Sequence, residues 1–203
     1  MTNKQRKILI VFLFLFLLSG CKGISVSPED AAIKLLLNET TAGMQIDQDT
    51  LEVRHTIDVE DGQSIVMLSF QGTCPELGPV TCLYTYQTLQ RMVGWMAANG
   101  GGGCRETHAD RQPQGFEIMG GHYSGQRPQD PGYTQIYGSV HHPEIVKALV
   151  TWDDSQVTEV EVVNGTIITV RTGDFKMQEV EGLNAQDQVI YTYTQSTVLD
   201  MQP

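Results

Sequence analysis

The chain has 203 residues, 40% of them hydrophobic, and its 24 acids against 13 bases give a formal net charge of −11. That length suffices for one domain or two small ones. A surface so acidic repels phosphate backbones and anionic headgroups, which removes nucleic acid and peripheral membrane binding as leading ideas. It is also the kind of surface that keeps a protein soluble.

Three positive side chains, Lys4, Arg6 and Lys7, open the chain, and eleven consecutive apolar residues follow from Ile8 to Leu18. Ser19, Gly20 and Cys21 come next, completing the charged, apolar and small-residue regions of a cleavable secretory signal. As a helix the apolar run is about 16 Å long, too short for a hydrocarbon core of ~30 Å. The tetrapeptide Leu18-Ser19-Gly20-Cys21 resembles the lipobox of bacterial lipoproteins, placed directly behind the apolar region. The resemblance implies a diacylglycerol on the Cys21 thiol, cleavage before Cys21 and acylation of the new amine, with fatty acids such as palmitate. Two or more chains, at about 0.8 kcal/mol per buried methylene, anchor stably where one does not. Lys22 follows the cysteine, not Asp, which by resemblance to the Gram-negative sorting rule implies the outer membrane, or the outer face of the cell membrane where only one exists. Loss of residues 1–20 takes three positive charges with it and moves the net charge from −11 to −14.

Residues 21–27 read as a tether. Ser27-Pro28-Glu29-Asp30 then opens a helix, with Ser27 as N-cap, Pro28 in the first helical position and acids at the positive end of the dipole. Ala32, Ile33, Leu35 and Leu36 form its buried face, and it ends near Asn38. Leu51–Val59 and Ser64–Phe70 predict a hairpin about Asp61-Gly62. Leu83–Leu89 and Met92–Met96 predict further strands. Asn99-Gly100-Gly101-Gly102-Gly103 and the polar residues to Gln114 read as a flexible break, which divides a small α+β lobe (28–110) from a second lobe (111–203).

The second lobe carries seven strand candidates: Phe116–Met119, Thr134–Val140, Ile145–Trp152, Val157–Val163, Thr166–Arg171, Phe175–Gly182 and Val189–Tyr193. Asn164-Gly165 is a type I′ hairpin signal, and Val160 and Val162 alternate with Glu159 and Glu161. Seven short strands at this spacing predict an immunoglobulin-like β-sandwich, so the fold class is α+β, mostly β: one N-terminal helix with a small antiparallel sheet, then the sandwich. The segments Tyr137-Gly138-Ser139-Val140, Pro143-Glu144-Ile145, Val162-Val163-Asn164-Gly165 and Leu183–Tyr191 resemble C-terminal β-domains of exported bacterial proteins, a family with no activity to carry over.

With Cys21 lipidated, three cysteines remain in an oxidising compartment, which predicts one pair and one leftover. Cys74 and Cys82 flank the loop from Pro75 to Thr81 and are the expected disulfide, worth roughly 2.5 kcal/mol on loop entropy; pairing of Cys104 with either stays open. Five histidines raise a metal reading. However, His141 and His142 are adjacent and face opposite sides of a strand, His108-Ala109-Asp110 and His122 complete no known spacing, and no metal site is expected. Cys104 lies near His108, but Arg105 alone scarcely makes it an activated thiol. The glycine run lacks the Gly-Lys-Ser/Thr ending of a phosphate loop, and no nucleophile elbow is present. Trp95, Trp152, Tyr84, Tyr86, Tyr191 and Tyr193 are expected to pack in cores. The sequence therefore points to a non-catalytic envelope lipoprotein with no cofactor, held to the membrane through Cys21 and serving binding or assembly with a protein partner in the envelope. The alternative is an enzyme or redox component using Cys104 or a histidine-based metal site.

Overall fold

The computed structural model describes residues 25–38, 43–59, 62–107, 115–123 and 132–194. Residues 1–24, with the expected secretory signal and Cys21, and the His108–Asp110 cluster lie outside the described residues. The described chain is mostly antiparallel β with one helix.

Helix α1 (Pro28–Asn38) starts and stops where its end signals place it. The Asp30 amide donates to Ser27 Oγ at 3.1 Å, so Ser27 caps one of the free amides of the first turn. Ala31, Ala32 and Leu36 form its buried face.

The first sheet has the order β1-β2-β3-β4, formed by β1 (Gln45–Val59), β2 (Gln63–Cys74), β3 (Gly78–Arg91) and β4 (Gly94–Glu106). Two expectations fail here. Met92 and Val93, expected within a strand, form the turn of the β3–β4 hairpin, since Arg91 pairs with Gly94. The glycine run, expected as a flexible break, lies in β4: Tyr84 pairs with Gly102 and Tyr86 with Gly100. The reason is steric. A Cβ at Gly100 would stand 2.2 Å from the Tyr86 ring, and one at Gly102 would stand 2.2 Å from the Leu83 carbonyl. The tyrosine rings occupy the face that the glycines leave empty, and this cross-strand covering supplies the packing a glycine strand lacks.

Seven further strands follow, at the seven positions read from the alternation: β5 (Phe116–Tyr123), β6 (Tyr133–Val140), β7 (Lys147–Trp152), β8 (Val157–Glu161), β9 (Thr166–Thr172), β10 (Met177–Leu183) and β11 (Val189–Thr194). They form a three-stranded sheet, β5-β6-β9, and a four-stranded sheet, β11-β10-β7-β8. Asn164 and Gly165 both adopt positive φ, 50° and 70°, as a type I′ turn requires.

Three buried clusters stack these elements into layers. Ala32 and Leu36 of α1 pack with Val66, Leu68, Phe70, Val80, Cys82 and Tyr86 on one face of the first sheet. Ile65, Met67 and Leu83 on its other face meet Tyr133, Tyr137 and Ile168 of the middle sheet. The far face of the middle sheet, through Phe116, Ile136 and Ile167, packs on Ala148, Val150, Trp152 and Val180 of the outer sheet. A strand with cover on both faces is apolar without alternation, which is why Ile65-Val66-Met67-Leu68 reads as one continuous run. The residues assigned to separate lobes thus share a cluster, and polar bonds reinforce it. Gln135 Nε2 donates to Thr85 Oγ1 at 3.0 Å, and the Tyr137 hydroxyl donates to the Gly101 carbonyl at 3.3 Å. Trp152 and Tyr86 are buried, as expected of core aromatics, whereas Trp95 is only half-buried.

Candidate functional site

The disulfide joins Cys82 to Cys104, and Cys74 is free. This corrects the expected Cys74–Cys82 pair. Cys82 and Cys104 are direct partners across β3 and β4, with Cα atoms 4.1 Å apart. Cys74 instead pairs with Gly78 across a tight turn, four residues short of Cys82 along β3. Four residues of strand are about 13 Å, beyond the span of any disulfide. The bond also removes Cys104 as a nucleophile. Met44 Sδ lies 3.9 Å from each bonded sulfur, so the bridge sits inside the apolar cluster beneath α1.

Between the first and middle sheets lies a polar cavity of about 190 Å³. Arg54 and Arg105 enter it from the first sheet, with Ser69 and Thr81. Glu117, Ser139, His141, Asn164 and Thr166 face them from the other side. Arg54 is the extra residue of a register shift between Val53 and His55 in β1. A bulge of this kind re-aims a side chain out of the strand's alternation. Its Nε donates to Ser69 Oγ at 2.6 Å, and its Nη2 lies 2.8 Å from Glu52 Oε2. Arg105 Nη1 lies 3.7 Å from Glu117 Oε2 and 3.3 Å from His141 Nε2.

Burial first, and the Arg105 charge second, hold the His141 pKa below the ordinary histidine value against the opposing pull of Glu117. The neutral ring accepts from Arg105 at Nε2, so the 3.6 Å approach of Nε2 to Glu117 is a contact and not an ion pair at neutral pH. His55 is likewise held below its usual value, chiefly by burial. Its Nε2 lies 2.9 Å from Thr166 Oγ1, whose own proton goes to the Val163 carbonyl at 2.8 Å. His55 therefore donates to the hydroxyl and cannot deprotonate it. His122 stands in the same relation to Thr134, whose proton goes to the Gly173 carbonyl at 3.0 Å. Neither pair is an activated nucleophile with its base.

His122 and Asp174 Oδ1, 3.6 Å apart, border a second hollow of about 670 Å³ lined by Ile118, Ile136, Phe175, Met177 and Tyr193. His142 lies apart from His141's contacts, its Nδ1 accepting from the Glu144 amide at 3.3 Å. Among the described residues no three His, Cys, Asp or Glu side chains gather as metal ligands do. His141, Cys104 and its neighbour Arg105 stand out in the sequence, but Arg54 and Glu117 do not. The only sequence signal of the two arginines is a basic residue standing in a strand of an acidic chain, and Glu117 has none. Two guanidiniums and several hydroxyls line the cavity with the Glu117 carboxylate, and each guanidinium has one carboxylate within 4 Å, Glu52 for Arg54 and Glu117 for Arg105. No known protein family, curated protein or solved structure matches the chain.

Proposed function

We propose that the protein is a non-catalytic lipoprotein of the cell envelope, anchored through Cys21, that binds a small anionic ligand in the cavity between its first and middle sheets. The observation that carries the binding reading is the convergence of Arg54 and Arg105 on one cavity of a chain with net charge −11. Planar guanidiniums with hydroxyls beside them match a carboxylate or phosphate group, and charge-assisted bonds of this kind are about twice as strong as neutral ones. The hydroxyl protons of Thr166 and Thr134 are committed to carbonyls, which favours binding over catalysis. Lipidation at Cys21, outer-membrane placement by Lys22 and a protein partner in the envelope are parts of the same proposal, supported by Leu18-Ser19-Gly20-Cys21 behind an eleven-residue apolar run.

The pairing of the last seven strands supports an immunoglobulin-like sandwich. First, second and fifth share one sheet, while seventh, sixth, third and fourth share the other. This differs from the constant-type arrangement only in the fourth strand, which pairs with the third instead of the fifth. A buried tryptophan on the third strand, Trp152, is a further likeness.

Two experiments test the proposal. Fatty-acid labelling should mark the wild type and spare Cys21→Ser; equal label in both would sink the anchor. Calorimetry with a panel of small carboxylates and phosphates should find a ligand whose affinity falls at least about tenfold in Arg54→Gln and Arg105→Gln, the loss expected for one charge-assisted bond. Binding that is indifferent to both substitutions would refute the site.

A further inference from the structure

The tip of the β3–β4 hairpin exposes apolar side chains where a turn normally carries polar ones. Two-residue hairpin turns favour Asn, Asp and Gly, yet this one is Met92-Val93. Met92 is fully exposed, and Val93 is 69% exposed. Neither adopts positive φ, so the backbone makes no demand that these residues meet. Val26 and Met96 are exposed beside them. These residues are brought together by Ser25, which pairs with Trp95 through two backbone hydrogen bonds of 2.8 Å each. The hairpin is also nearly free of charge. Between Leu77 and Cys104 the only charged residue is Arg91, at the tip, in a chain with 24 acids. That stretch carries no acid, and Asp30, which bonds to the Val26 backbone at the start of α1, is paired with Lys34 at 2.8 Å.

Its position supplies the occupant. Cys21 precedes Ser25 by four residues, and four residues of extended chain reach at most about 14 Å. A lipid on Cys21 therefore holds Ser25, the strand partner of Trp95 at the base of the hairpin tip, within that distance of the bilayer surface. We infer that Val26, Met92, Val93 and Met96 form a membrane-contact surface that seats in the interfacial region of a phospholipid bilayer, with Trp95 at headgroup level and Arg91 toward the phosphates. This rests on the anchoring proposed above. Apolar residues with a half-buried tryptophan and a basic residue are the composition that interfacial segments use. The tip acts as a second point of attachment, so the protein is oriented on the membrane and does not swing freely on its tether.

The test uses the mature lipid-bearing protein reconstituted in dioleoylphosphatidylcholine vesicles, with and without bromine on the acyl chains. Bromine quenches tryptophan only at short range. Trp152 is wholly buried, so quenching reports on Trp95. The expected result is loss of up to about half the emission, one of the two tryptophans, absent in Trp95→Phe. The double variant M92D/V93D should keep its lipid and float with the vesicles, yet lose the quenching. A lipid-bearing protein whose emission is the same in brominated and plain vesicles overturns the tip contact and leaves the anchor standing. A protein that carries no lipid and does not float overturns both.

Discussion

Reduction of the Cys82–Cys104 bridge offers a direct test of the first sheet's register. The bonded residues are 22 apart in sequence. Cross-linking a loop of that size removes denatured-state entropy worth about 3.4 kcal/mol at 25 °C. For a chain of this length, each kcal/mol moves the midpoint of thermal unfolding by about 2–4 °C, so reduction should lower it by about 10 °C. Comparing oxidised and reduced protein isolates the covalent link from the packing of the sulfurs on Met44, which no substitution could do. Cys74→Ser, measured in parallel, prevents thiol exchange and should change the oxidised midpoint little, because Cys74 is only partly buried. Non-reducing peptide mapping supplies the covalent answer. A bridged peptide containing Cys74 would refute the pairing, and with it the alignment of the glycine run beside β3.

Gly102→Ala places a methyl against the backbone of β3 and should cost at least about 2 kcal/mol in urea unfolding, whereas Gly101→Ala faces open space and should gain about 0.5 kcal/mol from reduced chain entropy. Equal effects would show that β4 is not paired as described. His55 and His141 titrate below their unfolded value near 6.5, so the stability they hold is present above that pH and falls as pH drops through their folded values. Unfolding followed from pH 7.5 to 5 should show this loss, and it should be smaller in His141→Gln. Asp154, bridged by Arg171 at 2.6 and 2.8 Å, is held at about 2 by that partner. Its contribution is complete above about pH 4 and lost toward pH 2, an acid limb that Asp154→Asn should flatten. A fragment of residues 115–203 keeps the cluster between the middle and outer sheets but uncovers Tyr133, Tyr137 and Ile168. It should retain a β-type circular dichroism spectrum and self-associate; a monodisperse, cooperatively unfolding fragment would show that the shared cluster is dispensable.

What the sequence determined by itself is local. Ser27-Pro28 ahead of an apolar helical face set the start of α1, because capping and dipole effects act within one turn. The seven strands of the second half followed from alternation over five to eight residues, and Asn164-Gly165 set its turn through left-handed backbone preference alone. Tertiary structure decided whatever depends on which strand lies beside which. The glycines of β4 carry no strand signal of their own, and they become a strand only because Tyr84 and Tyr86 cover them from β3. Cys104 finds Cys82 through the same register, while Cys74, nearer in sequence, is four residues out of step. Arg54 reaches the cavity through a bulge, and Arg105 meets Glu117 and His141 only where two sheets are stacked. Periodicity reports which face of an element is buried. It does not report the partner, since apolar burial is non-directional and the register between distant strands is fixed by the sum of their contacts.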